Sequence, residues 1–317
     1  MSARCISHYK ITSKITKDLS RIEAVKERLA KNPLNPANIA YFQESNRFLS
    51  TYYSTMLEGN LLESEQMIAI LKNEEHFKGY EHDELEVKGY YAALLQIDEW
   101  VKKGELINEK KILWLHALLM ENEMHLLKPN TYRPSQNLVY NGRTNSVAYV
   151  PPTAKEVPTL IKALIGWIHE ANDICCPIVA GIAHFQLISI HPFCLGNGRV
   201  ARLVATYILR QGKYDLEGMG SMEEFYATNL NAYFEAISMS PIHNYFFGRS
   251  EADITPWVQY FIEGLANSLE KVLKQFEIVN RDGLSSEIAL IRKLDSKQLQ
   301  ALTFFREFTT IQANQIT

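Results

Sequence analysis

The sequence has few cysteines, no long apolar run and little net charge, and each absence excludes a class of protein. Its four cysteines include the adjacent Cys175 and Cys176 and form no C-x-x-C pair, so neither a disulfide framework nor a zinc site is indicated. No apolar stretch approaches the ~20 residues of a membrane span, and the first residues lack the apolar segment of a secretory signal. We therefore expect a reduced, cytoplasmic protein with no membrane segment.

The net charge is −3 over 317 residues, of which 46% are hydrophobic. Such a balanced charge is not typical of proteins that bind nucleic acid or anionic membranes. The length suffices for one large domain or two moderate ones, each with a buried core.

Helical patterns cover most of the chain. Apolar residues at spacings of three and four predict a first helix that stops at Pro33, and further helices are predicted over residues 82–103, 112–119, 177–190, 198–210 and from 255 onward. Thr153 with Glu156 forms a capping box that predicts a helix start. The exception is residues 138–150, where an Asn-Gly pair predicts a short β-hairpin. We expect an all-α helical bundle with one hairpin.

Residues 191–202, with the sequence HPFCLGNGRVAR, are the segment most indicative of chemistry. Gly196, Asn197 and Gly198 open a predicted helix, where backbone N–H groups and the helix dipole favour an anion. Taken alone, a Gly-x-Gly before a helix is more often an ordinary turn. It is the combination with the neighbouring side chains that favours binding.

Three charged or titratable side chains flank this turn. Arg199 and Arg202 lie three residues apart on one helix face, so both guanidinium groups can contact the same polyphosphate. His191 ends the preceding helix, and a neutral imidazole there can take a proton from a hydroxyl. A lone histidine at a helix end is usually structural, and that interpretation stays open for His191.

This segment resembles the Fic family signature His-Pro-Phe-x-(Asp/Glu)-Gly-Asn-(Gly/Lys)-Arg-x-x-Arg and matches it at every defined position but one. The resemblance extends over roughly residues 37–274 and implies a Fic-type helical bundle. It also implies transfer of AMP from ATP to a Ser, Thr or Tyr hydroxyl of a target protein, with pyrophosphate leaving. The hairpin at residues 138–150 is similar to the family's flap, on which the target docks as an added strand.

The resemblance implies a role for each matching residue. His191 would be the general base. The implied nucleotide-binding residues are Gly196, Asn197, Gly198, Arg199, Arg202 and, at the adenine, Tyr233. Ser54 and Glu58 resemble the family's inhibitory helix, which implies a contact between Glu58 and Arg202. The alternative for Glu58 is an ordinary surface salt bridge of little consequence.

The one mismatch is Leu195, which stands where the family has an acidic ligand for Mg²⁺. Leucine offers no oxygen, and Mg²⁺ requires oxygen ligands, so no metal-ligating residue is predicted and slower chemistry is expected. His184 lies two helical turns before His191; we interpret it as a buried structural residue, with a metal pair as the alternative.

These observations divide the chain into an N-terminal helical region (residues 1–107), a Fic core (108–280) and a segment (281–317) that resembles the start of a winged helix-turn-helix. Basic residues are sparse in the last segment, which argues against nucleic acid as a partner. Two main hypotheses remain: an auto-inhibited AMP-transferring enzyme, or a nucleotide-binding regulator inactivated by Leu195. Target, choice of nucleotide and oligomeric state stay open, a homo-oligomer being one alternative.

Overall fold

The computed structural model describes residues 8–33, 35–120, 131–140, 146–216, 218–238 and 244–282. These residues form helices and one small sheet, as the sequence predicts. The helices are α1 Ser13–Lys31, α2 Pro36–Met56, α3 Ser64–Leu71, α4 Glu81–Lys102, α5 Glu109–Leu119, α6 Val157–Glu170, α7 Cys176–Ile190, α8 Asn197–Gln211, α9 Met222–Thr228, α10 Leu230–Ser238 and α11 Thr255–Asp282. The expected all-α class is confirmed.

The first helix shows how local sequence sets its bounds. The Thr12 side chain accepts a hydrogen bond from the backbone N–H of Ile15 and caps α1, which ends at Lys31, two residues before Pro33. Its apolar face is buried against the long α11, and Arg21 extends from α1 to bond Glu270 on α11. The N-terminal helices therefore pack directly on the rest of the bundle, and the predicted domain boundaries stay a prediction.

Helices α7 and α8 form the centre of the core. Nearly all side chains of α7 are buried, which explains why its apolar residues show no preferred face. Trp257 on α11 donates a hydrogen bond of 2.7 Å from Nε1 to the carbonyl of Gly181, and the Phe261 ring packs where a side chain on Gly181 would lie. The loop between α7 and α8 is thus held between two fixed helices.

The hairpin is antiparallel, with β1 at Val139–Tyr140 and β2 at Val147–Tyr149. The Tyr149 hydroxyl donates to the carbonyl of Ser189, close to the end of α7, over 2.7 Å. The hairpin base is therefore attached to the helix that carries His191. The predicted Asn-Gly turn lies outside the described residues, as do residues 283–317 of the helix-turn-helix-like segment.

One predicted helix start is wrong. Thr153 and Glu156 do pair, because the Glu156 carboxylate accepts from the Thr153 hydroxyl at 2.6 Å, but they form a turn and α6 begins only at Val157. Pro158 explains the later start, since its ring fixes a helical φ and needs no N–H acceptor in the first turn. Helix α3, which has its own capping box at Glu63, was not anticipated. No helix among the described residues is both long and apolar enough to cross a membrane.

Candidate active site

His191 ends α7 in a left-handed backbone conformation, with φ of 51°. Its backbone N–H still bonds the carbonyl of Leu187, and the chain then turns away toward α8. Burial lowers the pKa of its imidazole to about 4. The ring is therefore neutral at neutral pH, the form that can accept a proton.

The loop after His191 is held by packing and by side-chain hydrogen bonds. Phe193 is fully buried and stacks on the His116 ring of α5, with centroids 3.8 Å apart. The Asn197 side chain bonds the backbone N–H and C=O of Phe193, each at 2.9 Å. Each polar atom of this amide thus has a partner inside the loop, which ties Asn197 to the backbone of Phe193.

The sequence assigned no role to Arg133. Its Nε donates to the carbonyl of His191 at 2.9 Å, its backbone N–H donates to Pro192, and its guanidinium also bonds the carbonyl of Pro152. This buried side chain thereby joins the hairpin base to the His191 loop. Its residue type alone does not indicate these contacts, because the acceptors are backbone carbonyls.

The first turn of α8 faces a carboxylate. Gly196 has φ of 76°, a conformation that favours glycine, and α8 begins at the next residue. A Cβ built on Gly198 would collide with the Oε1 atom of Glu58. The Glu58 carboxylate therefore lies directly over the helix N-terminus, where unsatisfied N–H groups favour an anion.

Arg202 makes three contacts with the segment that carries Ser54 and Glu58. Its Nε donates to the Ser54 hydroxyl at 2.8 Å, and its Nη2 donates to the Ser54 carbonyl at 3.0 Å and to Glu58 Oε1 at 2.7 Å. Burial raises the pKa of the Glu58 carboxyl, but the charges of Arg202 and Arg199 outweigh it and hold the pKa below its ordinary value. The structure thus forms the Glu58–Arg202 pair, and both partners are ionised.

Arg199 has a partner that sequence reasoning missed. Its Nη1 lies 2.6 Å from Oε1 of Glu86 on α4, and both side chains are nearly buried. The signal was present: Glu86 precedes the buried Tyr90 by one helical turn, so a carboxylate stands on the apolar face of α4.

Tyr233 does not face open space. Only 3% of its surface is exposed, its ring contacts Tyr226 and Trp257, and its hydroxyl lies 3.4 Å from Nε2 of His184. An adenine can reach this ring only after its neighbours move, so the adenine contact stays a prediction. His184 is fully buried and stacks on Trp257, in agreement with a structural role.

The residues present do not fit a protein-held Mg²⁺. Leu195 is 50% exposed and has no oxygen to offer. Among the described residues, one group has the geometry of a metal site, formed by His82, Asp83 and Glu86. Glu86 is already paired with Arg199, and His82 is exposed. Within the described part of the chain, no group of three or more such ligands includes His184 or His191.

Comparison with known proteins identifies similar sequences and structures. The sequence model of the Fic/DOC family matches residues 106–209. A protein adenylyltransferase Fic of Nematostella vectensis is 27% identical over 202 residues, which cover 62% of this chain and 45% of that protein. Protein adenylyltransferase fic-1 of Caenorhabditis elegans is 28% identical over 239 residues, covering 71% and 43%. The chain spans less than half the length of either relative.

Solved structures share the fold. A Fic family protein from Desulfovibrio desulfuricans G20 is similar with a TM-score of 0.71 at 25% identity, over 94% of this chain and 86% of that one. A Fic domain containing signaling protein from Bacteroides thetaiotaomicron VPI-5482 gives a TM-score of 0.68 at 24% identity, over 84% and 97%. The latter supports the fold alone.

Proposed function

Because the chain belongs to the Fic/DOC family, we propose that it transfers AMP from ATP to a hydroxyl side chain of a target protein and that Glu58 restrains this activity. The relatives named protein adenylyltransferases support the reaction class. The neutral His191, the α8 N-terminus and the two arginines supply the groups that it needs.

The position of Glu58 is the observation that carries this proposal. Its carboxylate lies over the first turn of α8 and bonds Arg202 at 2.7 Å, so the chain provides its own anion where a phosphate group would bind. The carboxylate oxygen stands in for a terminal phosphate oxygen. ATP must displace it to engage Arg202, which is the restraint that we propose.

The chemistry requires one proton transfer and one displacement at phosphorus. The His191 imidazole takes the proton of the target hydroxyl, whose oxygen forms a bond to the α-phosphorus of ATP. The bond from that phosphorus to the bridging oxygen breaks, and pyrophosphate leaves. Arg199 and Arg202 balance the negative charge on pyrophosphate, while Gly196, Asn197 and Gly198 contribute backbone at the helix start.

The target would dock on the hairpin. Leu138, Tyr140 and Val147 expose apolar side chains there, and strand addition would supply main-chain hydrogen bonds. Arg133 connects this hairpin to the His191 carbonyl, so a docked strand would be held near the base.

Leu195 favours a second candidate function, a nucleotide-binding regulator without transferase activity. The side chain is half exposed beside the α8 N-terminus and cannot bind a metal through oxygen. The anion site and its arginines would still bind a nucleotide. Both candidate functions require nucleotide binding, and only the first requires transfer of AMP.

Transfer of label from α-labelled ATP tests both. We expect Glu58→Gly to label protein and the natural chain to label little. Adding His191→Ala to Glu58→Gly should reduce the labelling by about a hundredfold or more. Restoring a carboxylate with Leu195→Asp should raise labelling by about a hundredfold, equivalent to about 2.7 kcal/mol.

The outcomes separate the candidates. Label that persists after His191→Ala would contradict the assigned base. Label in Glu58→Gly only when Leu195→Asp is also present would identify the natural chain as a regulator. ATP binding with no label in any variant would exclude the transferase, and no ATP binding at all would exclude both functions.

A further inference from the structure

The two arginines of the site are held by different parts of the molecule. Arg202 pairs with Glu58 at the end of α2, whereas Arg199 pairs with Glu86 on α4 at 2.6 Å. The Arg199–Glu86 pair is the better shielded, with side chains 5% and 10% exposed, against 28% for Glu58. A ligand that displaces Glu58 therefore leaves the partner of Arg199 in place.

Glu86 is itself fixed. Its second oxygen, Oε2, accepts a hydrogen bond of 3.1 Å from the Asn60 side chain, whose nitrogen also donates to the carbonyl of Asp83 one turn earlier on α4. The oxygen of the Asn60 amide accepts from the backbone N–H of Leu62. The Glu86 carboxylate is thus held at both oxygens and cannot rotate freely.

Arg199 keeps unused donors on the side away from Glu86. Its Nε and Nη1 are buried and make no hydrogen bond of ordinary geometry among the described residues, although Nη1 forms an ion pair with Oε1 of Glu86 at 2.6 Å. Its Nη2 lies 3.8 Å from the point where a Cβ on Gly196 would be, so this nitrogen faces the turn at the start of α8. A buried guanidinium with free donors next to a helix N-terminus is a binding group for an anion with several oxygens.

We propose that Glu86 is a positioning residue, which holds Arg199 by one nitrogen so that the other donors face the polyphosphate of the nucleotide. This inference rests on the proposed nucleotide binding at the same site. It assigns the two glutamates opposite roles, because Glu58 competes with the nucleotide whereas Glu86 supports its binding. A long arginine side chain that is fixed beforehand loses less conformational entropy when the ligand binds.

The test compares ATP with AMP as ligands of the full chain. In the Glu58→Gly background, Glu86→Gln should weaken ATP binding by about tenfold, since a charge-assisted contact is lost from the oriented arginine. AMP lacks the phosphates that Arg199 would contact, so its affinity should stay unchanged. General structural damage would weaken the binding of both ligands.

Two further variants control the measurement. Glu84→Gln removes another buried carboxylate of α4, one that bonds the Phe77 backbone and His76, and it should leave both affinities unchanged. Asn60→Ala keeps both charges but frees the Glu86 carboxylate, and it should give a smaller loss confined to ATP. If circular dichroism shows that Glu86→Gln does not fold, Asn60→Ala takes its place as the test of the positioning role.

The results distinguish this inference from the proposed function. If Glu58→Gly binds no ATP, the proposed nucleotide site is wrong, and the positioning role that depends on it is wrong too. If Glu58→Gly binds ATP and Glu86→Gln binds it equally well, only the positioning role is wrong. Tighter ATP binding by Glu86→Gln would also overturn it, because Glu86 would then be a second competing anion.

Discussion

Replacing Glu58 by glutamine should destabilise the protein and make its stability depend on an added anion. Only 2% of the Arg202 side chain is exposed, and its carboxylate partner lies 2.7 Å away. Removing one member of a buried ion pair typically costs about 3–5 kcal/mol, because a buried charge is left without compensation. Glu58 is 28% exposed and Arg202 keeps its bonds to Ser54, so we expect a smaller loss of about 2 kcal/mol in the free energy of unfolding.

Pyrophosphate should reverse this loss. An anion that binds only the folded protein stabilises it by about 2.7 kcal/mol at about one hundred times its dissociation constant. In the natural chain the same anion must first displace Glu58, so its effect should be small. Saturating pyrophosphate should therefore bring Glu58→Gln back to at least the stability of the natural chain.

Urea unfolding with and without pyrophosphate measures both effects. Glu270→Gln is the matched control, since Glu270 also pairs with an arginine at 2.7 Å and is 34% exposed, but its partner Arg21 lies near the surface. The control should lose no more than about 1 kcal/mol and gain nothing from pyrophosphate beyond the natural chain. A stabilisation of Glu58→Gln no larger than that of Glu270→Gln would refute the placement of Glu58 in the anion site.

Three further predictions follow from the site. The transferase activity of Glu58→Gly should stay constant as the pH falls to about 5, because burial lowers the pKa of His191 to about 4 and the base remains neutral; a decline centred near pH 6.5 in a pH–rate profile would contradict this. Burial lowers the pKa of His184 to about 3 in the folded protein, whereas its pKa in the unfolded chain is about 6.5. As the pH falls below about 6.5, His184 therefore takes up a proton in the unfolded chain but not in the folded protein. Lowering the pH from about 7.5 to about 5.5 should then reduce the free energy of unfolding by about 1.4 kcal/mol through this residue. In urea titrations, the loss of stability over this pH range should be smaller by that amount in His184→Gln. Gly196→Ala should reduce the free energy of unfolding by about 1–2 kcal/mol and weaken ATP binding, because φ is positive and the new Cβ would lie 2.8 Å from the Met120 side chain; an unchanged urea midpoint would contradict the strained turn.

The sequence predicted the parts of this molecule that depend on local patterns. Helix α1 follows from the spacing of its apolar residues and from Pro33, and α7 and α8 follow from a buried run and a Gly-Asn-Gly turn. Local signals failed where two of them competed, as at Thr153 and Pro158. There the proline, with its fixed φ, determined the helix start.

The contacts that assemble the site could not be read from local patterns. Arg133 reaches the His191 carbonyl across 58 residues, and Ser54 bonds Arg202 across 148. Periodicity indicates which face of a helix is buried, but it does not indicate which helices meet there. The Glu58–Arg202 contact was anticipated only through the family resemblance, and Glu86 was missed although it lies within the helix predicted over residues 82–103.

The presence of Glu58 does not by itself indicate an active enzyme. Arg202 is buried, and a buried guanidinium needs a nearby anion whether or not the protein performs catalysis. A chain that had lost transferase activity through Leu195 would therefore still be destabilised by losing Glu58. Restraint and stability are coupled in this one contact, so a measured change in stability cannot distinguish a restrained enzyme from a regulator. The distinction depends on Leu195, which is exposed and forms no ion pair, so a carboxylate there can change catalysis at little cost to folding.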